Sequence, residues 1–592
     1  MKPIQKLKKN LFLKKIDAYL IPKNDIYFSE EVPLHQERLK YITNFSGSAG
    51  SAVILMDKIE KSAIFSDGRY KIQIEKEVDF NDFIYINGGL KEIIKFIVSK
   101  AKFIKTFGCD PNLISIKEYE ILKKNLKKNN ITFKKVLNNL VDAIWKDKPY
   151  ISSSNIHKFE NKFSGKKSSD KITDLIKQIK LHNADGYFLS QPDGLSWLLN
   201  IRDHQQKNSP VFRGSALILK NKKIIVFSEN KLAKNFFDNE TPEIFFYNYK
   251  NISKVLITMS YKTLLIDPQS SSIRILDLFK KNKIKPLFID CLVAEAKAIK
   301  NIVEQKNSKI AHLNDGLAFL KFWHWFETDK LVQSLTEEDL SKKLFYYRSL
   351  NKKFIGNSFP TICAFGNNGA IVHYRYKKNY SKKINASNLL LLDSGGQYLN
   401  GTTDITRTLI IGKPNSEMIN NYTYVLKGHL ALSNLIFPKG TKGCNIDLLA
   451  RMYLWRYLKD YDHGTGHGVG FYLNVHEGPV SINKSNNSII MDGMIISNEP
   501  GYYKENKYGI RIENLELVKT IVYRKQPTNF LYFNTLTMVP YEKKLINKKL
   551  LSKDEIKQIN SYHQIVYKKI GKLLRSDQKD LKKFLFNKTS LL

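Results

Sequence analysis

The 592-residue sequence contains few cysteines and no cysteine pair. The four cysteines are scattered, and none belongs to a Cys-x-x-Cys motif: they are Cys109, Cys291, Cys363 and Cys444. So few thiols cannot cross-link a chain of this length, and their spacing argues against a thiolate zinc site. The sequence therefore predicts a protein of a reducing compartment.

Long apolar runs are missing as well. No stretch reaches the roughly 18 uncharged apolar residues of a membrane-spanning helix. Near the start of the chain, the apolar residues are interrupted at Lys14 and Lys15, before a signal-peptide core of about 7 to 15 residues can form. We therefore expect a soluble, cytoplasmic protein with no membrane partner.

Acidic residues are scarce relative to basic ones. The 96 lysines and arginines outnumber the 56 aspartates and glutamates, which gives a formal net charge of +40. Such an excess is typical of proteins that bind nucleic acid or an anionic membrane. The basic residues are, however, spread over the whole chain, without an RNP-like motif, a zinc finger or an arginine-rich arm. An AT-rich coding sequence, which enriches Lys, Asn, Ile, Phe and Tyr together, is the favoured explanation, and we expect no nucleic-acid partner.

The chain is long enough for several domains, because single hydrophobic cores stop growing beyond about 250 to 300 residues. Two N-terminal segments share one order of elements although few residues are identical. Each has an apolar strand, a polar turn, a short aliphatic-aromatic step, a small-residue turn and two more strands, beginning at Ile16 and at Ala184. We interpret them as two copies of one α/β domain.

Changes in composition predict the domain boundaries. A stretch rich in Ser, Lys and Asn surrounds residue 150, and long helical spacing begins near residue 295. Strand patterns follow from about residue 388, and helical spacing returns after Ser552. The predicted domains are α/β at 1–150 and 151–295, a third, α+β domain at 296–525, and a C-terminal extension at 526–592.

One helix start is marked clearly within the third domain. In the sequence TEEDLSKKLFYYRSL, Thr336 precedes three acidic residues and a helical apolar pattern. Threonine is a favoured N-cap, and acidic residues stabilise the first turn of a helix through its macrodipole. We therefore predict that a helix begins after Thr336.

Four carboxylates interrupt apolar strand patterns of the third domain. They are Asp393 at the end of NLLLLD, Asp404 eleven residues later, Glu499 in IISNEP, and Glu513 in GIRIENLEL. The turn GGQYLNGTT between the two aspartates predicts a hairpin that aims both at one point. Converging carboxylates repel each other, which raises their pKa values, unless cations lie between them. A pair of bridging divalent ions would remove this repulsion.

The stretch HGTGHGVGFYLNVHEGP, residues 463–479, contains three of the 12 histidines. Its glycines at 464, 466, 468 and 470 disfavour a helical metal-binding pair of His463 and His467. One histidine among four carboxylates is a hard, oxygen-rich ligand set that suits Mn²⁺, or else Fe²⁺, Co²⁺ or Zn²⁺. Any of these residues alone would be interpreted as a surface or structural group, whereas their combination favours a metal site.

The order Asp393, Asp404, His467, Glu499, Glu513 resembles the dinuclear site of the pita-bread metallopeptidases, peptidase family M24. The matching segments are DSGGQY, GTTDITRT, GTGHGVG, NEPGYY and GIRIEN. Nearly the whole chain is similar to the three-domain cytosolic Xaa-Pro aminopeptidases of that family, also called aminopeptidase P. The departures are small, with a serine at position 209 in place of the usual asparagine and an isoleucine at position 559 where the tail often has a tryptophan.

This resemblance implies two creatinase-like α/β domains followed by a pita-bread catalytic domain with a short helical tail. It implies an aminopeptidase that removes the first residue from peptides with proline second, by attack of a hydroxide that bridges two divalent ions, with Mn²⁺ favoured. A homodimer is likewise implied by the family. Two alternatives on the same fold are a prolidase, which cleaves only Xaa-Pro dipeptides, and an inactive module that binds peptides.

The resemblance also implies roles for the residues of the site. The five residues in the matching segments would be the metal ligands, and Glu499 would in addition carry a proton from the attacking water. His476 would donate a hydrogen bond to the tetrahedral intermediate. Both are therefore expected to be catalytic, and His476 is also expected to contact the substrate.

Three further residues receive roles from the same resemblance. His373 would hold the substrate and the departing proline nitrogen, which makes it both a catalytic and a substrate-binding residue. His463 would line the proline pocket. Arg511, two residues before the last ligand, would be a hydrogen-bond partner of a ligand carboxylate.

Overall fold

The computed structural model describes residues 1–57, 60–150, 153–230, 236, 243–258, 262–376 and 381–592. Residue 151, where the second domain is predicted to begin, lies outside this description. The described chain forms two compact units. Unit 1 is Met1–Phe159, Lys166–Gln206 and Pro210–Ala294, and unit 2 is Glu160–Gly165, Lys207–Ser209 and Glu295–Leu592. Within the described ranges, no helix is long and apolar enough to cross a membrane.

The first part of unit 1 is an α/β domain with one six-stranded sheet. The strands are β1 (Ala18–Pro22), β2 (Ser51–Leu55), β3 (Ser62–Ser66), β4 (Phe83–Asn87), β5 (Thr106–Cys109) and β6 (Thr132–Lys135). The helices are α1 (Pro3–Leu13), α2 (Arg38–Thr43), α3 (Lys71–Glu77), α4 (Leu90–Ser99) and α5 (Ile116–Lys127). The strand order is β4-β3-β2-β1-β5-β6. Strand β2 is antiparallel to both neighbours, whereas the other pairs are parallel.

The next part of the chain contains a second sheet of the same kind. This part of the chain has the strands β7 (Ile156–Lys158), β8 (Gly186–Leu189), β9 (Ile201–Asp203), β10 (Ser215–Leu219), β11 (Ile224–Ser228), β12 (Ile244–Asn248), β13 (Thr263–Ile266) and β14 (Lys285–Phe288), of which β7 and β9 form a separate two-stranded sheet. Its helices are α6 (Asn161–Ser164, in unit 2), α7 (Ser168–Leu181), α8 (Pro192–Leu198), α9 (Ile252–Ile257) and α10 (Ile273–Lys281).

The two sheets have one topology. The second runs β12-β11-β10-β8-β13-β14, and its strand β10 is antiparallel to both neighbours, as β2 is in the first. The remaining pairs of the second sheet are parallel. The prediction of two copies of one α/β domain is therefore confirmed.

The central strands of both copies are largely buried, because helices cover both faces of such sheets. Strands β3, β10 and β11, with the sequences SAIFS, SALIL and IIVFS, are buried at every position. Side chains from both sheets, such as Phe65 and Phe227, belong to one apolar cluster. The two copies thus share a core within unit 1.

Unit 2 contains the predicted third domain and the C-terminal extension. Its strands are β15 (Phe354–Asn357), β16 (Ile362–Phe365), β17 (Asn388–Ser394), β18 (Gly396–Tyr398), β19 (Gly401–Thr402), β20 (Ile405–Ile411), β21 (Ile436–Pro438), β22 (Gly466–Gly468), β23 (Glu477–Ile482), β24 (Ile495–Asn498), β25 (Gly501–Lys504), β26 (Tyr508–Arg511), β27 (Asn514–Tyr523) and β28 (Gln526–Thr535). Its helices are α11 (Ala294–Ala298), α12 (Ile302–Thr328), α13 (Glu337–Ser349), α14 (Ser416–Ser433), α15 (Gly443–Trp455), α16 (Lys553–Gly571) and α17 (Lys579–Thr589).

The strands of unit 2 form several small sheets around one larger sheet. The larger sheet has the order β21-β28-β27-β24-β22-β23, and a three-stranded sheet has the order β16-β17-β20. The remaining sheets of the described unit are β15-β18-β19 and the hairpin β25-β26. Every described pair in these sheets is antiparallel, in contrast to unit 1.

Two helices of unit 2 begin at the residues that the sequence predicts. Thr336 caps α13, since its Oγ1 accepts from the amide of Asp339. Helix α16 begins after Ser552, as expected, whereas α14, α15 and α17 were not predicted, and α14 and α15 interrupt the region interpreted as strands. Side chains of α16 and α17 pack on α12, and Ile559 of α16 is fully buried. The fold class, two α/β domains followed by an α+β domain with a helical tail packed on it, is confirmed.

Candidate metal centre

The two aspartates lie at one end of an antiparallel strand pair. Strand β17 pairs with β20, and Asp393 is opposite Thr406 in the register. Asp404 immediately precedes β20, so the excursion through β18 and β19 returns the chain beside Asp393. Both side chains are nearly buried, with 7% and 4% of each residue exposed. The predicted hairpin is confirmed.

The histidine and the two glutamates come from neighbouring strands of the larger sheet. His467 is the middle residue of β22, Glu499 follows β24, and Glu513 lies between β26 and β27. The flanking glycines let these strands approach closely. A Cβ at Gly466 would lie 1.9 Å from the carbonyl oxygen of Ser497, and a Cβ at Gly468 would lie 2.3 Å from that of Glu477. The glycines predicted to prevent a helix therefore permit a strand.

The ligand atoms converge on a small volume. Asp404, His467 and Glu513 each offer one ligand atom within 4.8 Å of the others. Nε2 of His467 lies 3.6 Å from Oδ2 of Asp404 and 3.4 Å from Oε1 of Glu499. Asp393 is near enough for its charge to act on Asp404 and Glu513.

Three buried carboxylate oxygens in this cluster have no hydrogen-bond donor among the described residues. They are Oδ1 of Asp393, Oδ1 of Asp404 and Oε1 of Glu513. A buried carboxylate oxygen without a donor is costly unless a cation lies beside it. Carboxylates with a single imidazole are donors suited to hard divalent ions such as Mn²⁺. The residues present therefore fit a metal centre.

Burial and mutual repulsion raise the pKa values of Asp404, Glu513 and Glu499 when no cation is bound. Burial raises the pKa of Asp404 well above its usual range, and the charges of Glu513, Asp393 and Glu499 raise it further. Burial likewise raises the pKa of Glu513, together with the charges of Glu499 and Asp393. The pKa of Glu499 is raised to about 7, chiefly by burial.

Hydrogen bonds fix the orientation of the His467 imidazole. Nδ1 of His467 lies 2.9 Å from the carbonyl oxygen of Gly468, so Nδ1 carries the proton and Nε2 presents its lone pair to the carboxylates. The backbone amide of His467 donates to Oγ of Ser497, and that hydroxyl donates to Glu499 at 3.3 Å. The serine thus links His467 to Glu499.

Arg511 connects several groups at the centre. Its Nη2 donates to Asp393 at 2.5 Å, and its Nη1 donates to the phenol oxygen of Tyr503 at 2.5 Å. Its Nε donates to Thr406, whose own hydroxyl donates to Glu513 at 2.8 Å. The predicted contact between Arg511 and a carboxylate is present in the structure, while Tyr503 and Thr406 were missed.

The three remaining predicted histidines lie around this cluster. The ring of His476 is 4.3 Å from that of His467, measured between centroids, at an angle of 65°. Nε2 of His463 lies 2.8 Å from the phenol oxygen of Tyr503. His373 follows Val372, whose carbonyl oxygen accepts from Arg511 at 3.3 Å.

The sequence contains partial signals for the hydrogen-bond partners that were missed. Tyr503 belongs to the segment NEPGYY that carries a ligand, and Thr406 lies two residues after Asp404. Glu477, the residue after His476, is held by Lys297 and Lys300 in a buried ion-pair cluster. In a chain with 96 basic residues, no sequence pattern marks these two lysines.

Sequence profiles of known families match four consecutive parts of the chain. Residues 306–520 match metallopeptidase family M24, and residues 529–592 match the C-terminal region of peptidase M24. Residues 3–143 and 147–304 match two profiles of the creatinase/prolidase N-terminal domain. The matches cover both copies of the α/β domain, the metal centre and the tail.

Known proteins are similar over nearly the full length. A probable Xaa-Pro aminopeptidase P of Paracoccidioides brasiliensis (strain Pb03) is 36% identical over 95% of this chain and 94% of its own. Xaa-Pro aminopeptidase 1 of Dictyostelium discoideum is 36% identical over 97% and 93%. The crystal structure of X-prolyl aminopeptidase from Caenorhabditis elegans, described as a cytosolic enzyme with a di-nuclear active site, has a TM-score of 0.92 at 30% identity, covering 100% of this chain and 99% of that one.

Proposed function

The chain belongs to metallopeptidase family M24 and, within it, to the Xaa-Pro aminopeptidases. From that premise we propose which residues hydrolyse the Xaa-Pro bond and what each of them does. It is a metal-dependent aminopeptidase, a hydrolase. Its substrates are peptides with proline in the second position, from which it removes the first residue. The observation that carries this proposal is the group of donor-free carboxylate oxygens gathered beside His467.

We assign five ligands to two divalent ions, with Mn²⁺ as the favoured metal. The ligands are Asp393, Asp404, His467, Glu499 and Glu513. Four carboxylates supply enough negative charge to neutralise two such ions, and the dinuclear site named for the Caenorhabditis elegans structure supports the count. When bound, the ions would lower the pKa of the attacking water and polarise the scissile carbonyl.

Glu499 is assigned the proton transfer. Its side chain is 18% exposed, whereas those of Asp404 and Asp393 are 6% and 10% exposed. A carboxylate that solvent can reach can accept a proton from the attacking water and pass it on. The nitrogen of an Xaa-Pro bond carries no hydrogen, so this nitrogen must receive a proton as it leaves.

The histidines around the cluster are assigned to the substrate. His476, beside the ring of His467, donates a hydrogen bond to the oxyanion that develops at the scissile carbonyl. His373 holds the substrate and the departing nitrogen, and His463 lines the proline pocket. The contact of His463 with Tyr503 fixes the imidazole of His463 relative to Arg511.

The same family membership supports proposals on assembly, location and domain limits. We propose a cytoplasmic protein, since the Caenorhabditis elegans structure is described as a cytosolic enzyme, and a homodimer, to be tested by light scattering. The proposed domains are 1–150, 151–295, 296–525 and 526–592. Limited proteolysis followed by mass spectrometry would test these limits.

Activity after metal exchange tests the function. The purified protein is dialysed against a chelator, resupplied with Mn²⁺, and incubated with a tripeptide that has proline second, an Xaa-Pro dipeptide, and a tripeptide with alanine second. We expect release of the first residue from the proline tripeptide only, and only with metal. Cleavage of the dipeptide alone would identify a prolidase, and no cleavage with any divalent metal would contradict the enzyme assignment.

A further inference from the structure

A buried carboxylate outside the metal cluster accepts four hydrogen bonds. Glu337 is the first residue of α13, and its residue exposure is 0%. Its Oε1 accepts from the amide of Phe365 at 2.7 Å and from Nδ2 of Asn368 at 2.9 Å. Its Oε2 accepts from the phenol of Tyr374 at 2.8 Å and from the amide of Lys382 at 3.1 Å. Both oxygens are thus fully used.

These four donors belong to the segment that contains His373. The amide of Tyr374 donates to the carbonyl oxygen of Ile371, which closes a turn with His373 as its third residue. The amide of Ile371 donates in turn to the carbonyl oxygen of Asn368. Asn368 and Tyr374, on either side of this turn, are also hydrogen-bonded to each other at 3.0 Å. Glu337 therefore binds the turn before and after His373.

The opposite side of the turn faces the metal ligands. Arg511, which donates to Asp393, also donates to the carbonyl oxygen of Val372. The segment lies directly against β26, because a Cβ on Gly509 would be 1.8 Å from the carbonyl oxygen of Gly369. The turn is fixed on one side by Arg511 and on the other by Glu337.

We propose that Glu337 is a positioning residue for His373, which it holds in place through the hydrogen bonds to this turn. The inference rests on the proposed function, in which His373 handles the substrate. The Glu337 carboxylate suits four hydrogen-bond donors because both of its oxygens are acceptors. In a glutamine, one oxygen is replaced by an NH2 group, which would point a donor at two of the four donors. An imidazole displaced by about 1 Å can cost roughly a hundredfold in rate.

A purely structural role at the start of α13 is the competing explanation. The helix already has its cap, since the carboxylate of Asp339 accepts from the amide of Thr336 at 2.9 Å and from its hydroxyl at 2.7 Å. Asp339 lies in the same helical turn as Glu337. Asp339→Asn is therefore a matched control that weakens the helix start and leaves the His373 turn untouched.

The kinetic test compares Glu337→Gln, His373→Ala, the double variant and Asp339→Asn with metal bound. Because the ligands are unchanged, we expect unchanged metal content. We expect Glu337→Gln to lower kcat roughly tenfold with KM within about twofold of wild type. In the His373→Ala background the same substitution should change kcat less than about twofold, because both act through one group. Tyr374→Phe, which removes one donor, should give a smaller effect of the same kind.

Hydrogen exchange provides a readout that does not need activity. Amides of residues 366–376 should exchange roughly tenfold faster in Glu337→Gln, and at the wild-type rate in Asp339→Asn. The proposal is overturned if Asp339→Asn lowers kcat as much as Glu337→Gln does. It is also overturned if Glu337→Gln still lowers kcat in the His373→Ala background, or if it leaves amide exchange in the turn unchanged. If Glu337→Gln does not fold, Tyr374→Phe decides the same questions. If wild-type protein cleaves no proline peptide, the proposed function fails, and exchange alone decides whether Glu337 holds the turn.

Discussion

The guanidinium group of Arg511 lies 2.5 Å from the carboxylate of Asp393, measured from Nη2 to Oδ2. Nη1 of the same group contacts the phenol oxygen of Tyr503, which in turn lies 2.8 Å from Nε2 of His463. One planar group therefore orients a proposed metal ligand and, through Tyr503, a proposed substrate residue. A guanidinium can do this because its donors point in fixed, separate directions.

Arg511→Lys tests this arrangement. A single ammonium group cannot reach Asp393, Tyr503 and Thr406 together, so we expect metal affinity or kcat to fall roughly 10- to 100-fold. Calorimetric titration of the metal-free protein with Mn²⁺, followed by kinetics on a proline tripeptide, measures both quantities. Arg575→Lys is the control, since that side chain is 74% exposed. Wild-type affinity and kcat in Arg511→Lys would refute the arrangement.

Asp404→Asn should affect the metal-free and the metal-bound protein in opposite ways. Without metal, burial and the charges of Glu513, Asp393 and Glu499 oppose the ionisation of Asp404, so folding at pH 8 requires this carboxyl either to take up a proton or to be buried as a charge, and an asparagine avoids that cost. We therefore expect the metal-free variant to have a higher Tm than metal-free wild type at pH 8. With Mn²⁺ we expect no turnover and little further rise in Tm. Differential scanning calorimetry with and without metal tests this, with the exposed Asp577→Asn as control.

The raised carboxylate pKa values predict how pH changes the stability of the metal-free protein. The pKa of Glu499 is about 7 in the folded chain, above the ordinary value of 4.5, so the folded state holds more protons than the unfolded state between these values. The free energy of unfolding should therefore fall as pH rises from about 5 to above 7. The pKa values of Asp404 and Glu513 are also raised in the folded chain, so both residues contribute to the same fall in stability as pH rises.

Metal should reverse this pH dependence, because cations replace the protons. At 100 times its Kd, a bound ion adds ~2.7 kcal/mol to the free energy of unfolding, and binding weakens at low pH as the ligands take up protons. We expect the rise in Tm on adding Mn²⁺ to be larger at pH 8 than at pH 5.5. An equal rise at both pH values would contradict the assignment of these carboxylates as ligands.

The strands that hold the candidate metal ligands were predicted from the sequence more completely than the side-chain contacts around those ligands. Asp393 and Asp404 could be paired because an apolar strand, a small-residue turn and a second apolar strand predict a hairpin. The duplication was recognisable because the order of elements is shared, but the position of β2 between β1 and β3 depends on pairings that no local pattern encodes. The second tail helix, α17, was missed for the same reason, since its apolar residues are explained only by packing on α12.

Partners supplied by distant parts of the chain were beyond prediction. Glu337 was recognised only as an acidic residue in the first turn of a helix, whereas its carboxylate binds a segment that begins 28 positions later. Tyr503 is one of 31 tyrosines, and only the structure places its hydroxyl between His463 and Arg511. Such contacts depend on tertiary packing, which local sequence patterns do not determine.

Glu477 should be essential for stability because it is the shared counter-charge of two buried lysines. Its carboxylate binds Lys297 at 2.6 Å and also binds Lys300, and all three side chains are at most 2% exposed. Burial lowers the pKa of Lys300, and Glu477 opposes this shift. Glu477→Gln removes the carboxylate that both buried ammonium groups bind, and we expect a loss of ~3 to 5 kcal/mol in urea unfolding. Lys300→Met keeps the contact between Lys297 and Glu477 and should cost less. An equal or larger loss would show that Glu477 is not the central charge of this cluster.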